Sequence, residues 1–393
     1  MASDFIGDVW VGTSLGVLKG LSVSNKQTLS FLPAGFPLEK CDRTREVMSM
    51  SWEHKSKERF YMGLRNGKVL LFDCQRNYFA AETDLGGGGG CGHFVGIAKH
   101  SHNLITCNDK GIISIWPDSQ EKKSEISVGG PVDVMSASPE VDLMMATGGK
   151  NNDLKLWDGN RPDALPIFKA KNVPHDYLNL QVPVWVTSIG FVPDTGERPC
   201  IAVGTGYHHL RLYDTRGKRR PVYSKLWEEA PITCLDVSSD GRYYLVGNSH
   251  GKIARIDIRK GTVLNRYHGF GGSVTSISSW SGEDDNVFAA CGLDRYLRVY
   301  RTEPPQIIHK AYMKLICNQV LMSGLHTNSD KEDTDGEEQD GKERVRVGKK
   351  RKRGKVSEDA DASSTDDSEN ELWEGMEQVV TLNNKRKSKH KIN

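Results

Sequence analysis

No run of about 18 apolar residues occurs anywhere in the 393-residue chain, so no segment reads as a membrane-spanning helix. No basic, then apolar, then small-residue leader opens it either, which argues for a soluble intracellular protein with no membrane partner. The eight cysteines (Cys41, Cys74, Cys91, Cys107, Cys200, Cys234, Cys291, Cys317) include no Cys-x-x-Cys pair. That absence disfavours a zinc ribbon or a redox dithiol and fits free thiols in a reducing compartment. No Gly-x-x-x-x-Gly-Lys-Ser/Thr phosphate loop is present. Charge of one sign is lacking too: 53 Lys and Arg against 51 Asp and Glu leave a formal net of +2, so the chain as a whole implies no polyelectrolyte partner.

What the chain has is a repeat. The segment FYMGLRNGKVLLFD (Phe60 to Asp73) reads as a strand, a tight Asn66-Gly67 turn and a second strand ending on a bulky residue and Asp. Its shape recurs in NLITCNDKGIISIWP, MMATGGKNNDLKLWD, IAVGTGYHHLRLYD, YLVGNSHGKIARID and VFAACGLDRYLRVYR, with a degenerate copy, VWVGTSLGVLKGLS, near the N-terminus. Seven hairpins result. Their closing positions, Ser22, Asp73, Pro117, Asp158, Asp214, Asp257 and Arg301, lie 51, 44, 41, 56, 43 and 44 residues apart.

Three columns support the alignment. Ten residues before each close stands a small residue: Gly12, Gly63, Cys107, Gly148, Gly204, Gly247 or Cys291. Four before it stands a branched aliphatic: Leu18, Val69, Ile113, Leu154, Leu210, Ile253 or Leu297. Six before it lies the expected corner, Gly16, Gly67, Gly111, Asn152, His208, Gly251 or Arg295, mostly residues that tolerate a left-handed backbone.

A period near 44 with a bulky residue and Asp at the close is the WD40 signature. The dipeptide itself survives only at Trp157-Asp158. A third strand precedes six hairpins, as VMSMSW, FVGIAK, VDVMSAS, VTSIGFV, ITCLDV and SVTSISS. One such sheet cannot hide both faces, whereas seven packed radially can. The fold class is therefore all-β, a seven-bladed WD40 propeller. The first hairpin starts at Asp8 with no room before it, while apolar residues continue after the seventh, AYMKLICNQVLMS. This predicts a ring over residues 1–323 whose first blade is completed by strands from both ends of that span.

From residue 324 to 393 the composition turns to Asp, Glu, Ser, Lys and Gly, which cannot bury enough surface to offset ordering entropy, and the expectation is a disordered tail. It carries two basic clusters, Lys349-Lys350-Arg351-Lys352-Arg353 and Lys385-Arg386-Lys387, of the kind that direct nuclear import or touch RNA phosphates. Between them Ser363, Ser364 and Ser368 each have an acidic residue three positions on, the pattern of an acid-directed kinase. Leu372, Trp373 and Met376, followed by Val379 and Val380, fall on one face of a short helix that would suit docking in a groove.

The 56-residue interval holds an insert, FKAKNVPHDYLNLQVPVW, from Phe168 to Trp185. Long loops in compact domains are usually functional or disordered, and this one is too apolar for disorder. Lys169, Lys171, Asn172, His175, Asp176, Tyr177 and Trp185 make it a candidate partner-binding surface, with Lys150, Lys218, Arg219 and Arg220 extending a basic patch toward phosphates. The bland alternative is a loop that caps the ring's edge.

Catalytic and metal readings fall away. His208-His209 occupies a hairpin corner, and His100 and His102 lie in a strand connection without further ligands at metal spacing. Cys91-Gly92-His93 follows five glycines, Gly86 to Gly90, a poor platform for fixed ligand geometry. The reading is a non-enzymatic scaffold without cofactor, metal or small-molecule substrate, monomeric outside its complexes.

The stretches ATGGKNNDLKLWD, FKAKNVPHDYLNLQVPVW, GYHHLRLYD, RRPV, VGNSHGKIARIDIR and CGLDRYLRVYR, with the N-terminal VWVGTSLGVLKG, resemble the WD repeat-containing protein 74 family of nucleolar ribosome-assembly propellers. The insert is its most specific piece, because generic WD repeats lack it. The resemblance implies a factor of early large-subunit precursors in the nucleolus. Its partners would be pre-ribosomal proteins and pre-rRNA, a nuclear AAA-type ATPase that removes it, and an exosome-associated RNA helicase. The rival classes are an adaptor of another nuclear complex, such as a ubiquitin-ligase receptor or chromatin reader, and a propeller enzyme.

Overall fold

The computed structural model describes residues 5–37, 41–53, 56–85, 92–118, 124–161, 165–175, 178–281 and 286–324. The five-glycine loop, Cys91, Asp176, Tyr177 and the tail with its basic clusters, serines and Leu372-Trp373-Met376 island lie outside them.

The described strands form seven four-stranded antiparallel sheets, the blades of a propeller. In blades two to seven the sheets run outward from inner strands Val47–Trp52, Phe94–His100, Val134–Ala137, Val186–Phe191, Ile232–Val237 and Val274–Ser281. Blade one takes its inner strand, Cys317–Met322, from the far side of the sequence. That strand pairs with Val9–Thr13 in the register Val9 to Met322, Trp10 to Leu321 and Val11 to Val320.

The columns in the sequence acquire physical reasons. The aliphatic column is buried throughout, from 0% exposure at Leu18, Ile113 and Leu297 to 3% at Val69 and Leu210. The small column exists because the next blade packs against it. A methyl group built on Gly12 would stand 2.5 Å from a Val47 methyl, one on Gly148 2.6 Å from Val186, and one on Gly204 2.6 Å from Ile232. Real side chains do not tolerate such contacts, so large residues there would wedge the blades apart.

Corner residues adopt a left-handed backbone at Gly16, Gly67, Gly111, His208, Gly251 and Arg295. In blade four the expected corner, Asn152, does not; Asn151 does, at φ 56°. The register there shifts between Thr147 and Gly149, so Asn152 pairs with Gly149 and only Lys150 and Asn151 remain in the turn.

Blades are also tied by hydrogen bonds along the inner strands. The hydroxyls of Thr187, Thr233 and Thr275 each donate at 2.6 Å to a main-chain oxygen of the next blade, those of Ile232, Val274 and Cys317. The Asn318 amide continues the series to Val47 at 3.1 Å. Ser276 and Ser278 accept from the main-chain N–H of Val320 and Met322, and the Lys57 ammonium reaches the Met322 oxygen at 3.1 Å. The inner strand of blade one is thus bonded to blade seven on one side and to blade two on the other.

Candidate interaction surface

The insert begins as a strand, not as the loop its sequence suggests. Phe168–Lys169 forms the outermost strand of blade four, paired with Leu156 and Lys155. Phe168 turns inward, 7% exposed, and meets the Tyr213 ring of blade five edge-on at 6.4 Å between centroids. Ala170 donates its N–H to Leu154, after which the chain leaves blade four for blade five.

Two links fix that passage. The Lys171 N–H donates to the Arg219 oxygen at 2.8 Å, and the Arg219 Nε donates back to the Lys169 oxygen at 2.6 Å. Asn172 then closes a loop: its Nδ2 donates to the Val182 oxygen at 2.6 Å, while its Oδ1 accepts from the Val173 N–H at 2.8 Å and from Arg211 Nη1 at 3.3 Å. Within the loop, His175 Nδ1 and Asn179 Oδ1 are 3.0 Å apart.

The insert ends on a second cluster, where Lys150 and Trp185 form an isolated bridge and the Asn151 N–H donates to Val184. One carboxylate oxygen of Asp133 accepts both the Trp185 indole N–H and the Lys150 main-chain N–H, each at 2.9 Å. The Lys150 ammonium stands 5.6 Å over the indole, and the Tyr207 ring meets it edge-on at 6.0 Å. The predicted surface residues therefore fall into two groups. Lys169, Lys171, Asn172 and Arg219 join directly, with Lys218 and Arg220 flanking; Lys150 and Trp185 form a separate knot around Asp133.

The electrostatics beneath the loop are those of partial burial. Arg211 is 2% exposed, and burial raises the Asp153 carboxyl above its usual range against the pull of Arg211, Lys169 and Lys155. Burial, then the Arg211 charge and then His208, hold the His209 imidazole down at about 4. Sequence reading missed Arg211 and Asp153 because each occupies an ordinary strand position. It also missed the exposed aliphatics Leu178, Leu180, Val222 and Leu226, at 60%, 59%, 64% and 68% exposure.

Among the described residues no group of three or more His, Cys, Asp or Glu side chains could hold a metal ion. The expectation that the chain holds no Gly-x-Ser-x-Gly nucleophile elbow is corrected for the spacing alone: Gly12-Thr13-Ser14-Leu15-Gly16 and Gly247-Asn248-Ser249-His250-Gly251 both have it. That motif needs a strand-to-helix turn. In both places the chain runs from strand to strand, and in the first the Thr13 hydroxyl closes the corner by donating to the Val17 oxygen at 2.8 Å.

A family profile, the WD domain, G-beta repeat, matches residues 261–301. The chain is 36% identical over 323 residues to WD repeat-containing protein 74 of Bos taurus, covering 80% of this chain and 81% of the relative. It is 30% identical over 234 residues to ribosome biogenesis protein NSA1 of Meyerozyma guilliermondii, covering 51% of this chain and 58% of the relative. Among solved structures, the β-propeller domain of Cps50 (Swd1) from Myceliophteria thermophila matches with TM-score 0.59 at 14% identity, over 70% of this chain and 90% of that one. That likeness speaks to the fold alone.

Proposed function

Because this chain belongs to the family of WD repeat-containing protein 74, we propose that it is a non-catalytic scaffold in ribosome biogenesis, acting in the nucleus. The observation that carries the reading is the match to a relative named as a ribosome biogenesis protein, NSA1, over about half of this chain, beside the match to WD repeat-containing protein 74 over 80% of it. A ring of seven inter-bonded blades is a stiff support for loops, and the insert loop is the largest departure from the repeat. We assign pre-ribosomal contacts to that surface, with Lys169, Lys171, His175, Lys218, Arg219 and Arg220 at its face and Lys150 and Trp185 at its end; Asp176 and Tyr177, candidates for the same contacts, lie outside the described residues.

The finer reading follows the resemblance. The particle is an early nucleolar precursor of the large subunit, a nuclear AAA-type ATPase removes the protein from it, and an exosome-associated helicase joins it to pre-rRNA processing. The clusters Lys349 to Arg353 and Lys385 to Lys387 serve import, Leu372, Trp373 and Met376 dock to a partner, and Ser363, Ser364 and Ser368 accept phosphate.

Sedimentation of a nuclear extract on a gradient tests the reading. The protein is expected to travel with large-subunit precursors and to shift to the light fractions when their synthesis is blocked. Travel with another nuclear complex, and absence from precursors, would replace it with the adaptor reading.

A further inference from the structure

We propose that the outer edge of blade one, Gln27–Phe31, is a strand-addition site for an extended, uncharged segment of a protein partner in which apolar and hydroxyl-bearing residues alternate. The inference rests on the scaffold reading for the partner's source alone, and its chemistry comes from the edge itself.

The first observation is that this edge is open. The Leu21 oxygen accepts the Asp8 N–H at 2.9 Å, so Leu21 turns its main-chain groups toward the inner strands. Thr28 stands opposite Leu21, and in an antiparallel ladder a residue opposite one that faces away is not hydrogen-bonded to it. Thr28, and by alternation Ser30, therefore point their N–H and C=O groups out of the sheet. Among the described residues no hydrogen bond reaches Gln27–Phe31 beyond its ladder with Leu18–Ser22.

The second observation is that nothing built into the strand blocks a further one. Free edges are ordinarily blunted by charge, by bulges or by brevity. The outer strands of the other six blades use these devices. Tyr78–Asp84, Val263–Tyr267 and Gln306–Tyr312 each carry a register shift against their neighbour, together with Glu82, Arg266 and Lys310 respectively. Ser124–Ser127 and Tyr223–Leu226 are four residues long and hold Glu125 and Lys225, while Phe168–Lys169 has only two residues. Gln27–Phe31 has five residues, regular pairing and no charge.

The open groups choose the occupant. A row of alternating donors and acceptors at strand spacing is completed by another extended main chain, which sets aside helices and RNA. Directly opposite residues share a face. Phe31 packs on Trp10 and Phe72 at 5.6 and 5.3 Å between centroids, and half-buried Leu29 joins the same cluster beside Phe79 of blade two. Apolar side chains on that face of an added strand would extend the cluster, whereas its other face lies level with the Thr28 and Ser30 hydroxyls. A second copy is the wrong occupant, because an edge of about 17 Å cannot supply the roughly 1,200 Å² of a stable association. A segment tethered to a protein already held on the particle needs no such area.

The test uses the full chain and a fluorescent peptide of alternating threonine and valine with a lysine at each end. Valines on the Leu29 face leave the threonines opposite Thr28 and Ser30, so the threonine main chain makes the bonds. The peptide should bind. N-methylation of its threonines should weaken binding at least about tenfold, roughly 1.4 kcal/mol, while N-methylation of its valines should not. Ser30→Pro removes one outward N–H and no ladder bond, so it should cost a similar factor at an unchanged urea midpoint. The methylated peptides read the same pairing on the unaltered protein, which keeps the test independent of any effect of proline on the strand. Equal binding of the two methylated peptides, undiminished binding by the Ser30→Pro variant, or no binding of the parent peptide up to about 1 mM would each overturn the proposal. So would a dimer of the free protein that Ser30→Pro disperses, since the occupant would then be a second copy. These outcomes are read on purified protein; a protein absent from ribosomal precursors that still distinguishes the peptides keeps the edge site and loses only the particle.

Discussion

The Arg211 guanidinium of blade five donates to the Asn172 carboxamide of the insert at 3.3 Å, across the seam between two blades. Arg211 is buried, whereas Asn172 is the residue that closes a surface loop by its second bond, to Val182. One side chain thereby carries the position of the rigid ring out to the loop. The placement of Leu178 and Leu180 depends on a core contact that the loop's own sequence cannot make.

Replacing Asn172 with Ala removes both carboxamide groups at once and leaves a buried guanidinium short of one acceptor. Net loss for bonds of this kind is about 1–3 kcal/mol. The loss should fall mainly on the loop, because the blades keep their own ladders. Limited proteolysis should show faster cleavage between residues 173 and 182, with only a small fall in thermal midpoint. Cleavage at the wild-type rate would mean that Asn172 does not hold the loop.

His209 makes stability depend on pH in one direction. Its imidazole sits at about 4 in the folded chain, through burial first and the neighbouring Arg211 and His208 charges next, against about 6.5 when unfolded. Below pH 6.5 the unfolded chain binds a proton that the folded one refuses. Stability is therefore full above that pH and falls as pH drops from 6.5 toward 4. His209→Gln should flatten this part of the profile. Urea midpoints of the two proteins, compared at matched pH, cancel other groups with the same trend, such as His100. A constant difference between them would show that His209 is not responsible.

Gly206 tests the knot at the insert's end. A methyl group on it would stand 2.2 Å from Trp185 Cε3 and 2.4 Å from Cδ2, while the bond from the Gly206 N–H to the Trp185 oxygen at 2.8 Å holds the two backbones together. Gly206→Ala must move the indole and break its bond to Asp133, at the 1–3 kcal/mol typical of overpacking. The expected signs are a red shift of tryptophan emission and faster exchange of the Asn151 N–H. An unchanged spectrum would show that the indole has another place to go.

The seven-fold repeat was legible because inner hairpins obey tight constraints. A small residue must face the next blade, an aliphatic must fill the core, and a corner must turn. The outer strands were not located, and their composition explains it: Tyr78–Asp84 in blade two and Val263–Tyr267 in blade six are largely exposed, so nothing forces an apolar pattern on them. Asn152 misled for a local reason, a register shift that sequence spacing cannot register. The insert was visible as an excess of residues between repeats, and its cations by composition. Arg211 was not, because its role depends on a partner 39 residues away in sequence that only the packing of two blades brings to it.

The closing strand of blade one offers the sharpest test of how the ring holds together. Val320 and Met322 are 2% and 0% exposed and lie in one cluster with Val9, Val11, Val287 and Val299, so they pack blade one against blade seven. Their N–H groups are the ones accepted by Ser276 and Ser278, and the Met322 oxygen takes the Lys57 ammonium from blade two. A chain ending before Leu321 loses the Leu321 pairing with Trp10, the Met322 side chain and two links between blades, leaving Val9–Thr13 as a partly open edge. Burial of one such side chain is worth about 1.5–3 kcal/mol, and the lost bonds add to it, a large part of the usual 5–15 kcal/mol of a folded domain. That chain is expected to unfold cooperatively at much lower urea or to aggregate on expression. A chain ending at Gly324 keeps every one of these contacts and should match the full-length protein in urea midpoint. If the two truncations denature together, the ring does not depend on this strand.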